Sequence, residues 1–169
     1  MYLINIINKL LKKIFYIIYK FLFLIDFIIH KIIRKHFFYW FREFFENDSY
    51  KSINLNGKKL VFFTPNEIID WRVHTLLTKE PETLEWIDQF KGDEIVFWDI
   101  GANIGLYSIY AALKHKNIKI ISFEPSVNNL RVLSRNIYKN NFSKSIKIFQ
   151  LPLSDRENIF SNMNENEFI

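Results

Sequence analysis

Two periodicities divide the chain. From residue 1 to about 45, apolar and charged positions segregate when placed on a helical wheel of about 100° per residue. Ile14, Ile18, Phe21, Ile25, Ile28, Ile29 and Ile32 occupy one half of the wheel. Lys9, Lys12, Lys13, Lys20, Asp26, Lys31, Arg34, Lys35 and Arg42 occupy the other. No turn former interrupts this stretch, the first glycine being Gly57 and the first proline Pro65. The pattern predicts a basic amphipathic helical segment over 1–45. Its many β-branched residues lower its intrinsic helix propensity, so it needs a surface to fold on.

Residues 46–91 change character and read as an accessory region. Ile53 to Gly57 and Lys58 to Phe63 predict a hairpin turning at Asn56-Gly57, and Thr64-Pro65-Asn66 ends it. Glu67 to Phe90 predicts one or two helices, the second opened by Pro81 after Thr78 or Lys79, with Glu80, Glu82 and Glu85 in its acidic first half. Over 92–169 the period shortens. Glu94–Asp99 and Lys119–Glu124 are short apolar runs that each end in a carboxylate, and both predict buried strands. Helical spacing follows each of them, over Leu106–Lys116 and Val127–Asn140, and Ile146–Gln150 is a third strand. Strand, helix, strand, helix, strand implies an α/β unit with a parallel sheet.

Composition narrows the chemistry. The 169 residues include no cysteine, which excludes disulfides, thiolate metal sites and a cysteine nucleophile. The four histidines, His30, His36, His74 and His115, lack metal-ligand spacing and read as surface or packing residues. The net charge of +5 belongs to the first quarter of the chain, where eight Lys or Arg face only Asp26 and Glu43. The rest is nearly neutral, which argues against a nucleic-acid partner.

A helix with one apolar face and one cationic face suits the membrane interface. Packing on protein, or oligomerisation, is the alternative. Spanning is disfavoured because no run of about 18 uncharged apolar residues exists. A cleavable signal peptide also fits poorly, since the chain turns basic again at Lys31–Arg34–Lys35 with no small-residue site before it. The expected location is cytoplasmic, peripheral on the inner face of the membrane.

The residues that bear chemistry lie after the first strand of the sheet, in Asp99-Ile-Gly101-Ala102-Asn103-Ile-Gly105. Glycines there let the backbone turn sharply and let a ligand approach, and the helix N-terminus that follows presents unpaired N–H groups. Glu124 ends the next strand, where a carboxylate can accept hydrogen bonds from ribose hydroxyls. The glycine spacing is not that of pyrophosphate binders, and no Gly-Lys-Ser/Thr phosphate loop occurs. That spacing disfavours a nicotinamide oxidoreductase and suits an adenosine bearing an amino acid, with Asp99 toward its ammonium. Taken singly, Asp99 would read as a helix N-cap and Glu124 as a solvent carboxylate. Trp71-Arg72 reads as packing in preference to substrate contact.

Val96 to Ser108, then Ser122-Phe-Glu-Pro-Ser126, then Asn136-x-x-x-x-Asn141, resemble FkbM-type S-adenosylmethionine-dependent methyltransferases. Leu153-Ser154-Asp155 and the upstream Lys79 to Asp88 are similar to that family too, so the resemblance runs from about Pro65 to Asp155. It implies a Rossmann-like class I methyltransferase sheet and S-adenosyl-L-methionine as cofactor. Gly101, Ala102, Asn103 and Gly105 would line its methionine and ribose end, with Asp99 and Pro125 adjoining and Glu124 on the ribose hydroxyls. The implied acceptor is a hydroxyl on a sugar, surface glycan or natural product. The family's sheet has about seven strands and three are legible here, with no strand pattern in Asn158–Ile169. The expectation is therefore the N-terminal part of a methyltransferase, its catalytic base unassigned. An inactive remnant that only associates with membranes is the alternative.

Overall fold

The computed structural model describes residues 2–55 and 57–153. Asn56 of the expected hairpin turn, Ser154-Asp155 and the stretch Asn158–Ile169 lie outside the described residues. The chain forms two compact units, Met1–Asp48 and Ser49–Ile169.

The first unit is two helices, not one. Helix α1 spans Tyr2–Ile33 and α2 spans Phe38–Asp48, so the helical segment expected over 1–45 forms as a long helix followed by a short one. Arg34 sits in the left-handed region (φ 61°) and its N–H closes the last turn on the His30 carbonyl at 2.9 Å. The sequence carries no glycine there to announce the break. The return is fixed by Asp26, placed on the polar half of the wheel by its spacing but only 3% exposed. One carboxylate oxygen accepts from the Phe38 N–H at the start of α2 (3.2 Å), and the other meets His36 Nδ1 at 2.7 Å. Burial alone would raise this carboxyl. The hydrogen bonds from His36 and from the Phe38 and Phe37 N–H groups outweigh it and hold the group below the usual carboxylate range.

In the second unit, β1 (Tyr50–Leu55) and β2 (Lys58–Phe63) form the antiparallel hairpin. Helix α3 (Glu67–His74) starts at Asn66, whose side chain accepts from the Ile69 N–H, and α4 (Pro81–Asp88) opens on its proline. The residue in front of α4 is Glu80, and not Thr78 or Lys79. The Rossmann-like part follows: β3 (Ile95–Ile100), α5 (Leu106–Lys114), β4 (Ile118–Phe123), α6 (Val127–Lys139) and β5 (Ile146–Phe149). The three strands are parallel in the order β3-β4-β5.

Two successive right-handed crossovers in one direction put both helices on the same face of the sheet. That explains a departure from expectation in β3. The apolar run predicted a strand buried throughout, yet burial alternates: Phe97 and Asp99 are buried, whereas Val96, Trp98 and Ile100 are 56–61% exposed. The core, built from Phe97, Ile109, Ile120, Leu133 and Ile137, lies under α5 and α6 and extends to Leu60 and Phe62 of the hairpin.

The hairpin is joined to the sheet layer by two asparagines one turn apart, Asn136 in the last turn of α6 and Asn140 capping its end. Asn136 accepts from the Phe63 N–H (2.7 Å) and donates to the Ile104 carbonyl (2.9 Å). Asn140 accepts from the Val61 N–H (2.9 Å) and donates back to the Val61 carbonyl (2.7 Å). These amides do for the edge of β2 what a neighbouring strand would do. Of the motif pair Asn136 and Asn141, the second has another role: Asn141 (φ 62°) turns the chain out of α6.

Candidate functional site

Residues 101–105 leave the end of β3 in a turn anchored to β4, with the Gly101 and Ala102 N–H groups both donating to the Phe123 carbonyl at 2.9 Å. Gly101 has φ +74°, and among the described residues no heavy atom beyond its chain neighbours stands within 4 Å of where a Cβ would be. The space it leaves open belongs to the cavity. Gly105 (φ +83°) serves packing instead, because a Cβ there would lie 2.4 Å from Leu133 Cδ1. It caps α5, so Asp99 is not an N-cap.

Asp99 faces the core and the cavity together. It is 8% exposed and takes a hydrogen bond from Ser108 Oγ (2.5 Å), which in turn meets Ser122 Oγ (2.7 Å). Burial pushes the Asp99 carboxyl up, the Ser108 hydrogen bonds partly offset this, and the nearby Glu124 charge adds to the rise. A cation placed at the opening would favour the ionised form of this carboxyl.

Glu124 follows β4 directly and is 4% exposed, so it is not a solvent carboxylate. Its Oε2 accepts from the Asn103 N–H (2.7 Å), and its Oε1 accepts from the Ser126 N–H (2.9 Å) and from Asn129 Nδ2 (3.3 Å). It thus ties the glycine turn to the N-terminus of α6. Two carboxylate oxygens offer about four acceptor positions, so capacity for a further donor remains.

A cavity of about 330 Å³ opens over this turn, within the size range of small-ligand sites. Asp99, Gly101, Ala102 and Asn103 line it. Gly105, Glu124 and Pro125 do not: Gly105 closes the turn against Leu133, and Glu124 anchors it through the Asn103 N–H. The opposite wall comes from α3, the α3–α4 connection and α5, through Arg72, Thr75, Lys79, Glu80 and Tyr107. Arg72, expected to pack, donates from Nη1 to Asn103 Oδ1, and this holds Asn103 in its left-handed conformation (φ 52°). Its neighbour Trp71 is half exposed, with Lys79 Nζ 5.5 Å from its ring centre. Tyr107 donates to Glu80 Oε2 at 2.7 Å. That bond, with help from Lys79, lowers the Glu80 carboxyl despite partial desolvation, while burial and Glu80 raise the Tyr107 phenol. Sequence reading missed Thr75, Glu80 and Tyr107 as wall residues because they converge from separate elements. The one signal was the acidic Lys79 to Asp88 stretch itself.

His115 packs on Phe90 and meets the Ile87 carbonyl at 2.8 Å, and His74 meets the Asp70 carbonyl at 3.0 Å. Among the described residues no cluster of His, Asp and Glu could hold a metal ion.

No family model matches the chain. It is 45% identical over 56 residues to the methyltransferase sdnD of Sordaria araneosa, a match covering 33% of this chain and 22% of that protein. It is 34% identical over 64 residues to the AMB antimetabolite synthetase AmbE of Pseudomonas aeruginosa, covering 38% of this chain and 3% of the synthetase. The chain therefore spans a small part of the curated relatives it matches. Among solved structures, the precorrin-6y C5,15-methyltransferase of Geobacter metallireducens superposes with a TM-score of 0.39 at 26% identity, covering 45% of this chain and 40% of that one. Over a third of its length, this chain is similar to a methyltransferase.

Proposed function

We propose that the second unit binds S-adenosyl-L-methionine and belongs to an FkbM-type methyltransferase acting on a hydroxyl of a sugar, glycan or natural product. The observation that carries this reading is the pairing at the ends of β3 and β4. Buried Asp99 lines a cavity floored by a glycine turn, and buried Glu124 holds that turn from beneath. The residues fit the cofactor. Gly101 leaves room for a ligand against the backbone, and Asp99 offers a desolvated acceptor for an ammonium. Arg72 and Lys79 bring two cations to the same cavity, matching a carboxylate. Glu124 would fix the Asn103 N–H and the turn against which the ribose lies. The cofactor supplies an activated methyl group. The chain's own part is to hold and orient it at near-attack distance from the acceptor oxygen.

Calorimetry on the full chain tests the reading. S-adenosylhomocysteine should bind and NAD should not. Glu124→Gln should weaken binding at least about tenfold, through loss of charge-assisted hydrogen bonds worth roughly 1.5–3 kcal/mol each. Binding of NAD alone, or an unchanged dissociation constant in Glu124→Gln, would overturn it. Transfer of labelled methyl groups to hydroxylated glycan acceptors tests the substrate class.

A further inference from the structure

The structure shows which side of α1 its partner helix takes. Tyr19, Phe23, Asp26 and His30 recur at spacings of four, three and four, and form a stripe within the polar half of the wheel. Helix α2 docks there: Phe38 lies 5.7 Å from the rings of both Tyr19 and Phe23, and His36 stacks on His30 at 3.8 Å. The aromatics scattered among the lysines are thereby explained. The opposite side is left uncovered by α2. From Ile4 to Ile32 an apolar residue falls at every alternating step of three and four, and Ile7, Leu11, Ile14, Ile18 and Phe21 on this row are 43–62% exposed.

Such a row could seat a second copy, but its surroundings favour another occupant. The positions flanking it hold Leu3, Leu10, Phe15, Ile17 and Leu24, all exposed, where a paired helix would carry complementary charges. The apolar face is thus wider than a helix–helix seam. The charges of α1 are five lysines and Asp26, and Asp26 is already engaged by His36 and Phe38. A second copy would bring the same sign, whereas anionic headgroups bring the opposite one. Lys20 and Lys31 lie over the rings of Tyr16 and Phe27, one turn back, at 5.4 and 4.6 Å. This arrangement keeps each cation beside an amphipathic or apolar ring, as at a headgroup boundary. Among the described residues no helix is long and apolar enough to cross a membrane.

We propose that the first unit is a lipid-docking helical pair. The isoleucine face of α1 enters the acyl boundary of an anionic leaflet, its lysines meet the headgroups, and Asp26 holds α2 off that face. The proposal does not depend on the methyltransferase reading.

Flotation of the full chain with vesicles of phosphatidylcholine, alone or mixed equally with phosphatidylglycerol, tests it. The chain should float with the anionic vesicles at least about tenfold more tightly than with the neutral ones, and salt should weaken that binding without abolishing it. The exposed triple change Lys12→Gln, Lys13→Gln, Lys20→Gln should lower anionic binding about a hundredfold and leave neutral binding unchanged. Ile14→Ser with Ile18→Ser should remove binding to both, with helicity checked by circular dichroism. Equal binding to both vesicles, or none to either, overturns the proposal. So does a stable oligomer in sedimentation that ignores vesicles, because the face is then covered by a second copy. Translocation of a tag at the N-terminus would mean spanning and would overturn it too.

Discussion

Asn136 offers the sharpest test of how the second unit is built. Its amide is fully buried, donates to the Ile104 carbonyl and accepts from the Phe63 N–H, and those two residues are 1% and 2% exposed. Asn136→Ala leaves one buried acceptor and one buried donor with no water to replace the amide. Each such group costs about 1–3 kcal/mol, so the pair should cost about 2–6 kcal/mol. Against a domain stability of about 5–15 kcal/mol this is a large share. Asn140 is the internal control. It makes the same two kinds of bond to Val61, but it is only half buried, so water can substitute. Asn140→Ala should cost about 1 kcal/mol or less. Urea unfolding followed by tryptophan fluorescence measures both, in a background where Trp40→Phe confines the signal to Trp71, Trp86 and Trp98 of the second unit. Amide exchange at Phe63 should speed up in Asn136→Ala. If Asn136→Ala lies within about 0.5 kcal/mol of the parent, or if the two variants cost the same, the bridging argument fails.

Gly105→Ala meets both a left-handed backbone and Leu133 Cδ1 at 2.4 Å, so thermal unfolding should show a loss of about 2–4 kcal/mol. Gly101→Ala meets only its backbone preference and should cost about 1–2 kcal/mol, yet it should remove S-adenosylhomocysteine binding in calorimetry because the new methyl enters the cavity. Equal stability losses would show that the two glycines do the same job. For Asp99, burial raises the folded-state pKa. The stability it allows is therefore fully present below the unfolded pKa and is lost as pH rises through the folded one. Asp99→Asn should flatten the melting temperature against pH from the acid range to neutrality, hold or raise stability at neutral pH, and weaken ligand binding. A variant that melts lower at neutral pH would contradict this.

Local pattern was enough for much of this protein. The strand–helix order from Glu94 to Gln150, the glycine turn and the carboxylates at the ends of the first two sheet strands were legible because each depends on near neighbours in sequence. Apolar runs make strands, glycine permits positive φ, and a residue at a strand end is carried to one edge of a parallel sheet. The basic helical character of residues 1–45 was legible for the same reason. What needed the tertiary structure were features set by contacts between distant residues. The break at Arg34 has no glycine or proline to mark it, and Asp26 becomes a buried anchor only because α2 returns to it. Arg72, Glu80 and Tyr107 become one cavity wall only when α3, the connection after it and α5 converge. The exposed half of β3 follows from both crossovers covering the same side of the sheet, whereas an apolar run by itself does not say how many faces it will bury. Periodicity records which way a side chain points along its own element. Which partner meets it there is decided by the free energy of packing and of satisfying buried polar groups across the whole unit.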